Sequence, residues 1–238
     1  MSRYKNIFFD LDGTLIKSEI GVIDSVIYAL EKLGEDKRER EELKKFIGPP
    51  LHYSFTTFIG LDSDRADLGI KYYREHYDRE GVYLTPLFEG IGELLKKLHS
   101  EGYKLYIVTS KPCDLAITVA DNTAIREYLE SVIGPPRSEK HADKALLIEE
   151  ALRQVIEAEN KDKAQMHEED FKEALKRVKG ESLMVGDRCY DIDAAVKVGL
   201  DSLGVLYGYG SLEEFKRSGA DYLAESPEDI YEIIKKQE

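Results

Sequence analysis

Cysteine and basic charge are both scarce in this chain, and each shortage removes a class of explanation. The 238 residues hold two cysteines, Cys113 and Cys189, which stand far apart and form no CxxC pair, and the five histidines form no HExxH or HxxxH array. A structural zinc site is therefore not expected. Lys and Arg number 34 against 47 Asp and Glu, a formal net charge of -13. Polyanions are ordinarily bound by a basic surface that releases condensed counterions, so nucleic acid is not expected as a partner. A small phosphorylated ligand stays open, because it needs only a few local cations, N–H groups or a metal ion. No run of about 18 apolar residues occurs that would cross a membrane. Arg3 and Lys5 lead straight into a short apolar stretch ending at Asp10, which is no secretory signal. A cytoplasmic protein with no membrane partner is expected, and reduced thiols agree with that compartment.

Against these absences stand a hydrophobic fraction of 42% and a charged fraction of 34%, enough for a sizeable interior under a strongly hydrated surface. The length suits one large core, or a core with a modest second domain, because single cores stop growing beyond roughly 250 to 300 residues. A monomer or homodimer is expected.

Residues 4–9, YKNIFF, form a β-prone run that stops at DLDGTL, where acids and glycine break the pattern. This reads as a buried strand and a tight loop. Similar strand-then-polar-loop units recur at 104–112, 182–188 and 202–210, with a weaker one at 220–227. Between them lie helical patterns: Ile91, Leu94, Leu95 and Leu98 before Gly102, and Ala145, Ile148, Ala151, Leu152 and Val155 further on. Strands alternating with helices imply βαβ units, hence an α/β fold with a doubly wound parallel sheet. Ligands bind such sheets at the carboxyl ends of the strands.

Residues 18–84 interrupt the alternation, reading as helices and turns without a clear strand. They are expected to form an inserted all-α cap domain, with 1–17 and 85–238 as the core domain. Linkers near 15–18 and 82–87 would lie side by side, the geometry of a hinge. Within the insert, Gly48-Pro49-Pro50 reads as a turn that ends a helix. The charged stretch 153–180, with Phe171, Leu175 and Val178 on one stripe, is expected to extend one helix and add another.

Asp10 and Asp12 carry the strongest chemical signal. At a strand end, residues i and i+2 project to one side, so two carboxylates can reach one phosphorus centre with different tasks. Gly13 lets the backbone turn sharply after them. A carboxylate at Asp10 is already ionised and can attack phosphorus without a base. Magnesium bridging Asp10, the phosphate and a third acid would remove the charge repulsion. Asp12 could protonate the leaving oxygen and later activate water. By itself, though, DxDGT is also an ordinary Asp-Gly turn after a strand.

An apolar strand followed by DLDGTL resembles the first motif of the haloacid dehalogenase superfamily, whose three later motifs also occur here in order. KLYIVTSKP places Thr109 at the second, HADKALLIEEAL places Lys144 at the third, and MVGDRCYDI places Asp187 and Asp191 at the fourth. Lys140, one helical turn away, competes with Lys144, which is preferred for its spacing to the following apolar pairs. The resemblance implies a Rossmann-like core, a Mg2+ cofactor and phosphate contacts from Leu11, Asp12, Thr109, Ser110 and Lys144. It implies metal ligation by Asp10, the backbone carbonyl of Asp12 and Asp187, with Asp191 supporting them from behind. FIGPPLHYSF and VLYGYGSLEEFKRSGADYLAESPEDI resemble the phosphoglycolate phosphatase and 5'-nucleotidase branch. A small phosphate monoester, of phosphoglycolate type or a nucleoside monophosphate, is the substrate implied.

The chain departs from that branch in a gap between Lys144 and Gly186 roughly twenty residues longer than expected. In the cap, His52, Tyr53, Arg65, Tyr72, Tyr73, Arg74 and Tyr77 are candidates to face the substrate, although Tyr at helical spacing also serves packing. Rival readings are a phosphomutase acting on a sugar phosphate, a dehalogenase, a phosphoaccepting signalling receiver, and a phosphate-binding protein without turnover.

Overall fold

The computed structural model describes residues 2–138, 143–160 and 167–236. Six parallel strands form one sheet: β1 (Asn6–Phe9), β2 (Lys104–Val108), β3 (Leu129–Ile133), β4 (Ser182–Gly186), β5 (Asp201–Val205) and β6 (Tyr222–Ala224), in the spatial order β3-β2-β1-β4-β5-β6. The strand Leu129–Ile133 escaped the sequence reading. It lies at the sheet edge and carries Glu130 and Ser131, so it lacks the continuous apolar run that marked the central strands.

The eleven α-helices among the described residues are α1 (Glu19–Leu33), α2 (Arg40–Leu43), α3 (Leu51–Ser54), α4 (Ser63–Arg79), α5 (Ile91–Ser100), α6 (Cys113–Asn122), α7 (Lys144–Glu159), α8 (Glu168–Gly180), α9 (Cys189–Val198), α10 (Leu212–Ser218) and α11 (Pro227–Lys236). Successive strand residues point to opposite faces, and both faces are covered. Ile7, Phe9, Ile107, Val185 and Val205 meet α5, α6 and α11 on one side. Phe8, Tyr106 and Met184 meet α7, α8 and α9 on the other. The charged stretch supplies part of that second cover. Val178 of α8 is fully buried, with Phe171 and Leu175 half-buried beside it, the stripe that its spacing predicts.

Between β1 and β2 the chain is helical. Asp62 caps α4 by accepting the Arg65 N–H at 2.9 Å, and Gly34 ends α1 in a left-handed conformation. Gly48-Pro49-Pro50 follows a 3-10 turn at Lys44–Phe46, and Pro50 then caps α3. The segment thus starts a helix as well as ending a turn, a role proline fills at a helix's first positions. The entry and exit of the helical region run side by side: the Lys17 N–H donates to the Pro86 carbonyl at 2.8 Å and the Phe88 N–H to the Leu15 carbonyl at 3.0 Å. Just above, a Cβ on Gly21 would sit 2.1 Å from the Gly81 carbonyl oxygen, so the two backbones touch where only glycine fits.

Candidate active site

Strand order reverses at β1: β2 and β3 follow on one side, and β4 begins the other. A crevice opens at the carboxyl ends of strands where such a reversal occurs. The residues that leave the sheet there are Asp10 after β1, Thr109 after β2 and Asp187 after β4. The helical region covers this end, and together they enclose a cleft of about 880 Å³ lined by Asp10, Asp12, Thr109, Lys144 and Asp187.

Asp10 is 8% exposed, and its Oδ1 accepts from Lys144 Nζ at 2.5 Å. Lys144 begins α7 and also reaches Asp191 at 2.8 Å. Burial pushes the Asp10 carboxyl up to about 6, against the pull of Lys144 and with the push of Asp191 and Asp12. Burial presses the Lys144 ammonium the other way, but Asp10 and Asp191 more than offset it and hold the group above its ordinary value. Lys140 lies outside the described residues.

Asp187 is 1% exposed. Its Oδ2 accepts the Tyr209 N–H at 2.8 Å, while its Oδ1 is buried without a partner. Burial first, then Asp191 and Asp10, push its carboxyl well above the ordinary range. Gly13, at φ +86, makes this packing feasible, because a Cβ there would fall 2.1 Å from Asp187 Oδ2. Oxygens of Asp10, Asp187 and Asp191 lie within 4.8 Å of one another. Three buried carboxylates face a single ammonium, and one of their oxygens is orphaned. That surplus of hard oxygen donors and negative charge fits a divalent cation. Both Asp191 oxygens are already engaged, Oδ1 by Lys144 and Oδ2 by the Arg188 N–H at 3.2 Å, which suits a supporting position.

Asp12 is paired by Lys111, whose Nζ lies 2.9 Å from each carboxylate oxygen. Thr109 is 1% exposed, and its Oγ1 accepts the Lys111 N–H at 3.2 Å. Ser110 is exposed at the cleft wall, and the Leu11 side chain is buried, leaving its backbone to the loop. Of the cap candidates, His52, Tyr73, Arg74 and Tyr77 line the cleft. The other three are engaged elsewhere: Tyr53 packs on Phe58, Arg65 pairs with Glu35 at 2.7 Å, and Tyr72 packs against the core.

Sequence reasoning did not single out Lys111, Arg188 or Arg137. Arg188 bonds Glu214 at 3.0 Å and donates to the Ile47 carbonyl at 3.3 Å. Arg137 ion-pairs with both Asp78 of α4 and Asp114 of α6. These arginines therefore tie the helical region to the sheet from two sides. Lys111 sits in the quoted TSKP, two residues after Thr109, and that position was the available signal.

A model of the family described as haloacid dehalogenase-like hydrolase matches residues 7–205. A 5'-nucleotidase of Pseudomonas aeruginosa is 36% identical over 214 residues, covering 90% of this chain and 88% of that protein. The tyrosine-protein kinase PtkA of Mycobacterium tuberculosis is 30% identical over 204 residues, covering 86% of this chain but 62% of the kinase. Among solved structures, a predicted phosphatase from Clostridium acetobutylicum superposes with a TM-score of 0.83 at 31% identity, covering 98% of each chain.

Proposed function

The chain belongs to the haloacid dehalogenase-like hydrolases, and on that premise we propose that it is a magnesium-dependent phosphatase of small monoesters, with Asp10 as nucleophile. The observation that carries this reading is the placement of Asp10: buried at the end of β1, held by Lys144 through one oxygen, with Asp12 two residues on and Asp187 beside it.

Lys144 fixes Asp10 Oδ1 and leaves Oδ2 to attack phosphorus opposite the ester oxygen. As the Asp10–phosphorus bond forms, the bond to the ester oxygen breaks, and Asp12 gives that oxygen a proton. Asp12 then takes a proton from water, whose oxygen attacks the phosphorus and returns Asp10 as a carboxylate with release of phosphate. The Thr109 and Ser110 hydroxyls, the backbone N–H groups of Leu11 and Asp12, and Lys144 hold the phosphate oxygens. Asp10, Asp187 and the Asp12 backbone carbonyl would hold the metal, supported by Asp191. Bound there, magnesium would offset the repulsion between carboxylate and phosphate. Residues 18–84 act as a cap on the remainder of the chain, excluding water and contacting the leaving group.

A phosphoglycolate-type ester or a nucleoside monophosphate is the proposed substrate, in the cytoplasm. The kinase relative favours one second reading, in which a hydroxyl rather than water accepts the phosphoryl group, as in a phosphomutase. A magnesium-dependent screen of monoesters separates them: free phosphate, abolished by Asp10→Asn, is the expected product, whereas phosphorylated acceptor without free phosphate would favour transfer.

A further inference from the structure

The loop that leaves β5, residues 206–211, touches both Asp187 and the linkers of the helical region. Its first residue is anchored to the sheet, where the Leu206 N–H donates to the Ala224 carbonyl at 2.8 Å. Tyr207 then donates its hydroxyl to the Thr14 carbonyl at 2.9 Å, and its ring packs on Phe88 with centres 4.9 Å apart. Thr14 lies on the way into the helical region and Phe88 on the way out, so one side chain grips both linkers. Two residues on, the Tyr209 N–H donates to Asp187 Oδ2 at 2.8 Å. The Tyr209 hydroxyl lies beside Ser18, the fully buried residue that precedes α1. A Cβ on Gly208 would fall 2.3 Å from Asp187 Cβ and 2.5 Å from the Gly13 carbonyl oxygen, and one on Gly210 would fall 2.1 Å from the Asp187 carbonyl oxygen. Glycine thus lets the loop lie directly on Asp187.

We propose that this loop is a strap coupling the metal site to the linkers, with Tyr207 as a positioning residue that acts on Asp187 through Tyr209. This rests on the metal site of the phosphatase reading and adds a control to it. The Tyr209 N–H occupies Asp187 Oδ2, and Oδ1, which has no partner, is left for the cation. Partners behind a metal ligand fix its orientation, and their loss costs roughly ten- to a hundredfold in metal affinity. Here the position of that partner depends on the linkers. A shift of the helical region that parts Thr14 from Phe88 loosens Tyr207, and with it the N–H that holds Asp187. Coupling between two sites is reciprocal. Whatever factor the linkers contribute to magnesium affinity, magnesium returns to the linkers, drawing them together as it binds.

Calorimetry of the full chain with magnesium alone tests the strap. Tyr207→Phe keeps the ring and removes the hydroxyl, and it should weaken magnesium binding by on the order of tenfold, measured well below its melting temperature. Hydrogen exchange supplies a second reading at the Phe88 amide, which donates across the linkers to the Leu15 carbonyl at 3.0 Å. Magnesium should slow that exchange by roughly fivefold or more in the wild type, and Tyr207→Phe should lose most of the gain. A residue that only packs would lower the melting temperature and leave both readings unchanged. Phe88→Leu removes the ring contact from the linker side; it should weaken magnesium binding in the same direction, and it decides the matter if Tyr207→Phe does not fold. A magnesium affinity equal to wild type in the folded variant would overturn the strap alone. Wild-type protein that takes up no magnesium would overturn the metal site and the strap together.

Discussion

At the scale of single residues, burial is the largest influence on the acids Asp10 and Asp187. Asp10 is driven up to about 6 by burial despite Lys144, and Asp187 is driven up by burial and by its acidic neighbours. An acid whose folded value lies above its unfolded one keeps its proton longer in the folded state. The folded protein then binds more protons than the unfolded chain, and stability declines as pH rises through that interval. For metal-free protein, the contribution of Asp10 should therefore lower the melting temperature between about pH 4 and pH 6, and magnesium should reverse the trend by binding only the folded, ionised site. Melting curves with chelator and with magnesium check this; a metal-free melting temperature that climbs across the interval would contradict it. Asp10 and Asp187 directly follow an apolar run, a local pattern, and Asp12 and Asp191 were legible through the motifs that these runs open. Lys111 was not, because its partner Asp12 lies 99 residues away in sequence, and only the pairing of β1 with β2 brings them together.

At the scale of elements, the central strands announce themselves because both their faces are buried and their sequences are correspondingly apolar. The edge strand β3 does not, since Glu130 faces solvent. The two linkers were legible side by side, but their contact was not: the touch between Gly21 and Gly81 depends on two helical segments meeting far apart in sequence. Replacing Gly21 with Val should force the Gly81 backbone away, at a cost of about 1–3 kcal/mol for overpacking. Urea unfolding measures it, and a stability within experimental error of wild type would show that the close approach can relax freely.

At the scale of the whole molecule, the helical region is tied to the sheet by Arg137 on one flank and Arg188 on the other. Arg137 is 41% exposed, so each of its ion pairs contributes only about 0.2–1 kcal/mol. Under the proposed cap role, Arg137→Ala should consequently weaken closure without abolishing turnover: KM should rise a few-fold, by roughly the factor that such energies imply, with kcat little changed. Steady-state kinetics decide it, and a loss of kcat at unchanged KM would move Arg137 from closure to chemistry.

In the proposed mechanism, Asp10 is the residue on which every later step depends. Acid quenching during turnover, followed by mass spectrometry of the peptide containing Asp10, tests its role most directly. A phosphoryl group on Asp10 that appears with substrate and magnesium, and is absent in Asp10→Asn, is the result expected. Rapid release of phosphate by Asp10→Asn, with no phosphorylated peptide in the wild type, would contradict it.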